Sequence, residues 1–145
     1  MEWNDGLALA AQDHCADTGG KGVVSHDGSD GSKVWDRMER YGVASGTMGE
    51  NLSFGKSRGD EYMISLFIDD GVSDRGHRTA IRNKKYNKVG ICYCSHNSDY
   101  YGMVAIAYAT DFEINEKGEK EIERRFKSRR EGSNVENSAE QTFVP

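Results

Sequence analysis

The apolar residues of this 145-residue chain gather upstream of Phe112, and that asymmetry limits how much of it can fold around a core. Up to that point the apolar groups suffice for one domain of ordinary size. Beyond it the run from Glu113 to Gly132 is dominated by Glu, Lys and Arg, and a polar stretch leads to Pro145. Too few apolar groups remain there to offset chain ordering. The expectation is a domain over 1–112 and a charged, mostly disordered tail over 113–145, with at most a transient helix over 116–130.

Within the first region the period of the pattern changes along the chain. Leu7, Leu9, Ala10, Ala11, His14 and Cys15 recur at helical spacing, and Asp17-Thr18-Gly19-Gly20 supplies a stop. A Gly- and Asp-rich loop follows to Ser32, and then Val34, Trp35, Met38 and Tyr41 mark a second helix ended by Gly42. Thr47 to Phe54 alternates as a short strand. A third helix opens at Asp60, a suitable N-cap, and runs out at Asp69-Asp70-Gly71. His77 opens a short helical turn, and strands Val89–Ser95 and Tyr101–Thr110 close the domain around an Asn97-Ser98-Asp99 turn. This order predicts an α+β domain with helices covering an antiparallel sheet.

Charge and cysteine usage narrow the function classes. A net charge of -5 argues against a nucleic-acid partner, which needs clustered Lys and Arg to displace counterions. The basic run Arg124 to Arg130 follows five glutamates and reads as a solvated, charge-mixed segment. No apolar stretch approaches the ~20 residues of a membrane-spanning helix, and Met1-Glu2-Trp3-Asn4-Asp5 does not read as a secretory signal. Cys15, Cys92 and Cys94 make an odd count that internal disulfides cannot use completely. Cys92 and Cys94 share one strand face, poorly placed to bridge each other, while Cys15 can pair with either.

The chemistry concentrates at three loops: Ser25-His26-Asp27-Gly28, Gly49-Glu50-Asn51 and Gly76-His77-Arg78. Two imidazoles and a carboxylate, each beside a glycine turn, are the material of one polar cleft able to hold a divalent cation. Each also has a plain structural reading. His26 and His77 can cap the helices they precede, and Glu50 can anchor its strand to nearby amides. His14 shares a helix face with alanines and reads as a core or boundary histidine, and His96 begins a turn. Asp27 and Asp30 lack the spacing of a calcium loop, and no serine sits in a Gly-x-Ser-x-Gly elbow.

Six short pieces in register carry a resemblance. They are Ala11-Gln12-Asp13-His14, Ser25-His26 ahead of Asp30-Gly31-Ser32, Arg37 ahead of Arg40-Tyr41-Gly42, Gly49-Glu50-Asn51, Gly76-His77-Arg78, and Val89-Gly90-Ile91. Over roughly residues 7–112 the chain resembles the CAP superfamily of cysteine-rich secretory, antigen 5 and pathogenesis-related-1 proteins, also called the SCP domain. It looks closer to the SCP-like proteins of bacteria and single-celled eukaryotes.

The resemblance implies a three-layer α-β-α sandwich with a central antiparallel sheet and a cleft lined by two histidines and two acids. Transferred by position, the cleft residues are His26, Glu50, Asp70 and His77, with Asp69 the alternative to Asp70, and the metal ligands are His26 and His77. The implied cofactor is Zn²⁺ or another divalent cation, and the implied setting is extracellular. Partners of the classes lipid, sterol, glycan or protein follow, with no nucleic acid and no transmembrane segment. The competing reading is a zinc-dependent hydrolase with Glu50 as general base. Family members begin with an additional helix and a signal peptide. Neither is read here, so the domain is expected to be N-terminally incomplete, with an apolar face left open.

Overall fold

The computed structural model describes residues 1–56 and 58–127. A short strand, β1 (Glu2–Trp3), leads into α1 (Asp5–His14), whose first turn is closed by the Asn4 side chain accepting the Leu7 N–H at 3.1 Å. Nearly every α1 residue is buried, and the helix widens into a π turn over Cys15–Gly19 rather than stopping at once. After the loop come α2 (Val34–Glu39), β2 (Gly42–Phe54), α3 (Gly59–Ile68), α4 (Gly76–Ile81), β3 (Lys88–His96), β4 (Tyr101–Ile114) and α5 (Glu116–Ile122), which continues as a π turn to Lys127.

The four strands form one sheet in the order β1-β3-β4-β2. β1 pairs parallel with β3, and every other pairing is antiparallel. β4 explains the layers. It lies between β3 and β2 and is buried on both faces, and its side chains alternate by size. Met103, Ala105, Ala107 and Ala109 join the cluster of Leu7, Leu9, Met38 and Leu52 on the side of α1 and α2. Val104, Ile106 and Tyr108 join Tyr62, Leu66 and Tyr86 on the side of α3 and α4. Small residues on one face let α1 lie close to the sheet, while bulky ones on the other hold up a looser layer. Gly90 of β3 serves the same close approach, since a Cβ there would lie 2.0 Å from the Ala8 nitrogen. The result is the α-β-α sandwich.

β2 begins at Gly42, where the helix pattern was expected to end, and has 13 residues rather than the eight read from Thr47. Its pairing with β4 shifts between Ser45 and Met48, and Gly46 takes φ 74° at the break. This bulge interrupts the alternation that would reveal the first half of the strand. The three cysteines are free thiols gathered where α1 meets β3: the Cys15 S–H faces the Cys92 carbonyl at 3.7 Å, and the Cys94 S–H faces the Cys15 carbonyl at 3.6 Å.

One expectation needs correction. Residues 113–127 are not a disordered tail: β4 runs to Ile114, and α5 starts where the Asn115 side chain accepts the Gly118 N–H at 2.8 Å. Ile122 and Phe126, four residues apart on α5 and its continuation, pack against the α1-side core together with Ile114 at the end of β4. Arg125 donates to Gln12 at 3.1 Å, Asp13 at 3.0 Å and Tyr41 at 3.1 Å. Few apolar groups suffice here because all fall on one face. α5 packs against α1, while on the other layer Met63, Ile64, Phe67 and Ile68 of α3 and Tyr93 of β3 are exposed. The rest of the tail, 128–145, lies outside the described residues. Phe126→Ala is expected to lower unfolding stability by about 1–3 kcal/mol, read from the urea midpoint; an unchanged midpoint would show that the C-terminal helix does not hold the core.

Candidate functional site

The loop between α1 and α2 is held by short local contacts. The Gly28 N–H donates to the Ser32 carbonyl at 2.8 Å, and Asp17 accepts the backbone N–H of Ser29 at 2.6 Å. Below it, His14 is fully buried and hydrogen-bonds through Nε2 to the Ser25 carbonyl at 2.8 Å, while its Nδ1 has no partner among the described residues. Burial lowers the pKa of His14, so the ring is a neutral donor that positions the residue next to His26.

Arg37 organises the site. Its side chain is 2% exposed, and its guanidinium donates to the Ser32 carbonyl at 2.8 Å, to the His26 carbonyl at 3.3 Å and to Glu50 Oε2 at 2.6 Å. Glu50, 3% exposed, accepts the His26 Nδ1 proton on Oε1 at 2.8 Å. With Nδ1 donating, Nε2 of a neutral His26 carries the free electron pair, and the ring is 59% exposed. The hydrogen bond to Glu50 raises the His26 pKa, outweighing burial, which pushes the other way. Beside the pair, Val34, Trp35, Met48 and Gly49 line a pocket of about 320 Å³.

The second imidazole has its own acid. Asp69 caps α3 in the left-handed conformation, φ 53° and ψ 41°, and turns its carboxylate under α4. Oδ1 meets His77 Nδ1 at 2.8 Å, and Oδ2 accepts the backbone N–H of His77 at 2.9 Å and of Arg78 at 3.2 Å. Burial works to raise the Asp69 pKa, but these donors together hold it below the usual carboxylate range. Asp70, the acid transferred from the resemblance, is exposed and accepts the N–H of Gly71 at 3.1 Å. The αL residue reverses the chain between the two aspartates, so Asp69 is the one that meets His77.

His26 with Glu50 and His77 with Asp69 are therefore two separate pairs. Glu50 registers with Ala107 and faces α2, whereas Asn51 registers with Ile106 and faces α4. The link is Asn51, fully buried, whose amide donates to the His77 carbonyl at 3.1 Å and contacts the Tyr108 hydroxyl at 3.3 Å. No group of three or more His, Cys, Asp or Glu side chains comes together in a metal-holding arrangement among the described residues. His96 is structural, contacting Ser98 at 2.7 Å and the Val23 carbonyl at 3.2 Å. Sequence reading missed the part played by Arg37. Its signal was an arginine placed between Val34 and Met38 on the buried face of an amphipathic helix.

The raised pKa of His26 fixes the sign of a pH effect. A folded value above the ordinary 6.5 contributes stability that is full below pH 6.5 and is lost as pH rises through the folded value. Asp69 contributes oppositely: its stabilisation is present above about 3.8 and is lost as pH falls through the folded value. An NMR titration of the ring protons is expected to place His26 above 6.5, and a midpoint below 6.5 would contradict the pairing. Glu50→Gln leaves the Arg37 charge buried without a counter-charge and is expected to destabilise the fold by about 3–5 kcal/mol in urea unfolding.

The likenesses to known proteins follow the same architecture. An outer surface protein of Borrelia burgdorferi shares the fold with a TM-score of 0.62 at 16% identity, over 75% of this chain and 76% of that one. An extracellular protein containing a SCP domain from Bacillus anthracis str. Ames does so with a TM-score of 0.57 at 19% identity, over 75% of this chain and 33% of that one. No curated protein sequence matches the chain. No helix among the described residues is long and apolar enough to cross a membrane. The model of the cysteine-rich secretory protein family, CAP, matches residues 1–110, and the chain belongs to that family.

Proposed function

We propose that this CAP domain is an extracellular binding module rather than a hydrolase, and that the pocket beside His26 is where its ligand meets it. The observation that carries this reading is the chain Arg37–Glu50–His26, which presents an exposed imidazole on a rigid, buried ionic base. Next to it lie the half-exposed Trp35 indole and Met48. A polar ring beside an indole suits a partner with an apolar body and a hydrogen-bonding end, such as a lipid or sterol, or the face and hydroxyls of a glycan. A protein side chain of similar character is the remaining class.

The hydrolase reading has less support. Both oxygens of Glu50 are engaged, by Arg37 and by His26, and the carboxylate is withdrawn from solvent. A general base must reach the proton that it takes. Catalytic zinc is held by three protein ligands, and the donor set here offers two imidazole nitrogens, His26 Nε2 and His77 Nε2. In each ring Nδ1 is held by a buried carboxylate, the outer arrangement that readies Nε2 for a cation. A divalent cation bound by these two rings would supply a charged anchor for an anionic or hydroxyl-bearing ligand.

Calorimetric titration with Zn²⁺ tests the cation part. Uptake by the wild type is expected to be lost in His26→Ala and in His77→Ala alike, with no ester or peptide turnover in the loaded protein. Equal zinc affinity in all three proteins would end the two-imidazole site. Metal-dependent turnover abolished by Glu50→Gln would replace the binding reading with the enzyme.

A further inference from the structure

We infer that the trough between α4 and the bulge of β2 is a binding site for a sulfated polysaccharide, separate from the pocket at His26 and not dependent on it. Arg75, Arg78, Arg82, Lys84 and Lys85 line a groove of about 780 Å³ with no acidic side chain in its lining among the described residues. The chain as a whole is acidic, with 24 Asp and Glu against 19 Lys and Arg. Many cations elsewhere find carboxylates: Lys21 meets Asp17, Lys33 meets Asp27, Arg58 meets Asp60, and Lys88 meets Glu2, while Lys117 lies over the Tyr41 ring. The five in the trough form no ion pair among the described residues. The nearby acids are turned away from them, Asp69 onto His77 and the α4 backbone, and Asp74 onto the Gly76 N–H at 3.1 Å.

This concentration runs against local preference. Arg75 is the N-cap of α4, Arg78 lies within it and Arg82 is its C-cap, so three like charges stand three and four residues apart along a six-residue helix, a spacing at which they repel. Arg75 holds φ 48°, in the left-handed region that side-chain-bearing residues avoid. A fold that keeps cations together against both tendencies is spending local stability on a surface, the pattern expected of a functional site.

The shape and lining select the ligand. Arg75 and Arg82 flank the six residues of α4, about 9 Å of helix at ~1.5 Å per residue, so the charges make a row rather than a point, which suits a repeating anion more than a single one. Guanidinium forks pair bidentately with tetrahedral oxyanions. The remaining lining groups, Thr47, Thr79 and Asn83, offer hydroxyls and an amide to sugar hydroxyls. Among the described residues no aromatic or aliphatic side chain lines the trough itself, and the Phe67 ring lies under the Arg78 guanidinium at 5.3 Å, so the lining lacks both the row of stacking platforms of single-stranded nucleic acid binding and the apolar wedge of a membrane-inserting surface.

Calorimetry of the full chain with a heparin oligosaccharide tests the inference. Binding is expected to weaken about tenfold to a hundredfold between 50 and 200 mM salt, as counterion release requires. Arg78→Gln with Arg82→Gln is expected to weaken it at least tenfold, and Lys84→Gln with Lys85→Gln provides a second test outside the helix. Lys117→Gln with Lys120→Gln, an equal charge change on α5, should change it less than twofold. Equal losses in the α4 and α5 pairs, or no heparin binding by the wild type, would overturn the site. Tighter binding through the same residues to phosphatidylserine vesicles or to a single-stranded oligonucleotide would overturn the ligand class.

Discussion

A buried guanidinium that reaches three pieces of chain at once holds the α1–α2 loop, α2 and β2 together. Arg37 rises from α2, closes the loop through the carbonyls of His26 and Ser32, and neutralises Glu50 on β2. Burying these charges carries a large desolvation penalty, which mutual attraction offsets only when the geometry is good and the remaining donors find acceptors. Most of the guanidinium donors do; Nε alone has no partner among the described residues. The loop, the helix and the strand therefore position one another, and His26 inherits its orientation from that arrangement.

Much of the architecture was readable where pattern and packing agree. The helical spacing of Leu7, Ala10, Ala11 and His14, and the strands around Gly90 and Ala105, follow directly from burial on one face or on both. Reading failed where position mattered more than composition. Residues 116–127 are mostly charged, yet Ile122 and Phe126 fall together and order the segment. The first half of β2 was hidden because Gly46 and Thr47 break the alternation at the bulge.

The site shows the same division. His26, Glu50 and His77 were recognisable from their glycine-flanked settings, and the structure assigns each histidine a buried acid. Which aspartate serves His77 was not readable, because the choice depends on a left-handed turn at Asp69 that no simple propensity specifies. Nor did spacing reveal that successive residues of β2 serve different layers, Glu50 toward α2 and Asn51 toward α4. Strand alternation makes this unavoidable once the register is known.

The position of β2 at the border of the sheet has a further consequence. Such a border offers unpaired amide and carbonyl groups to any neighbouring molecule and is a common starting point for aggregation. The kink at Gly46 bends this row out of line, so another chain cannot zip along its full length. The irregularity of β2 thus works against self-association through its open edge, while Glu50 and Asn51, set in its regular second half, each serve one side of the domain.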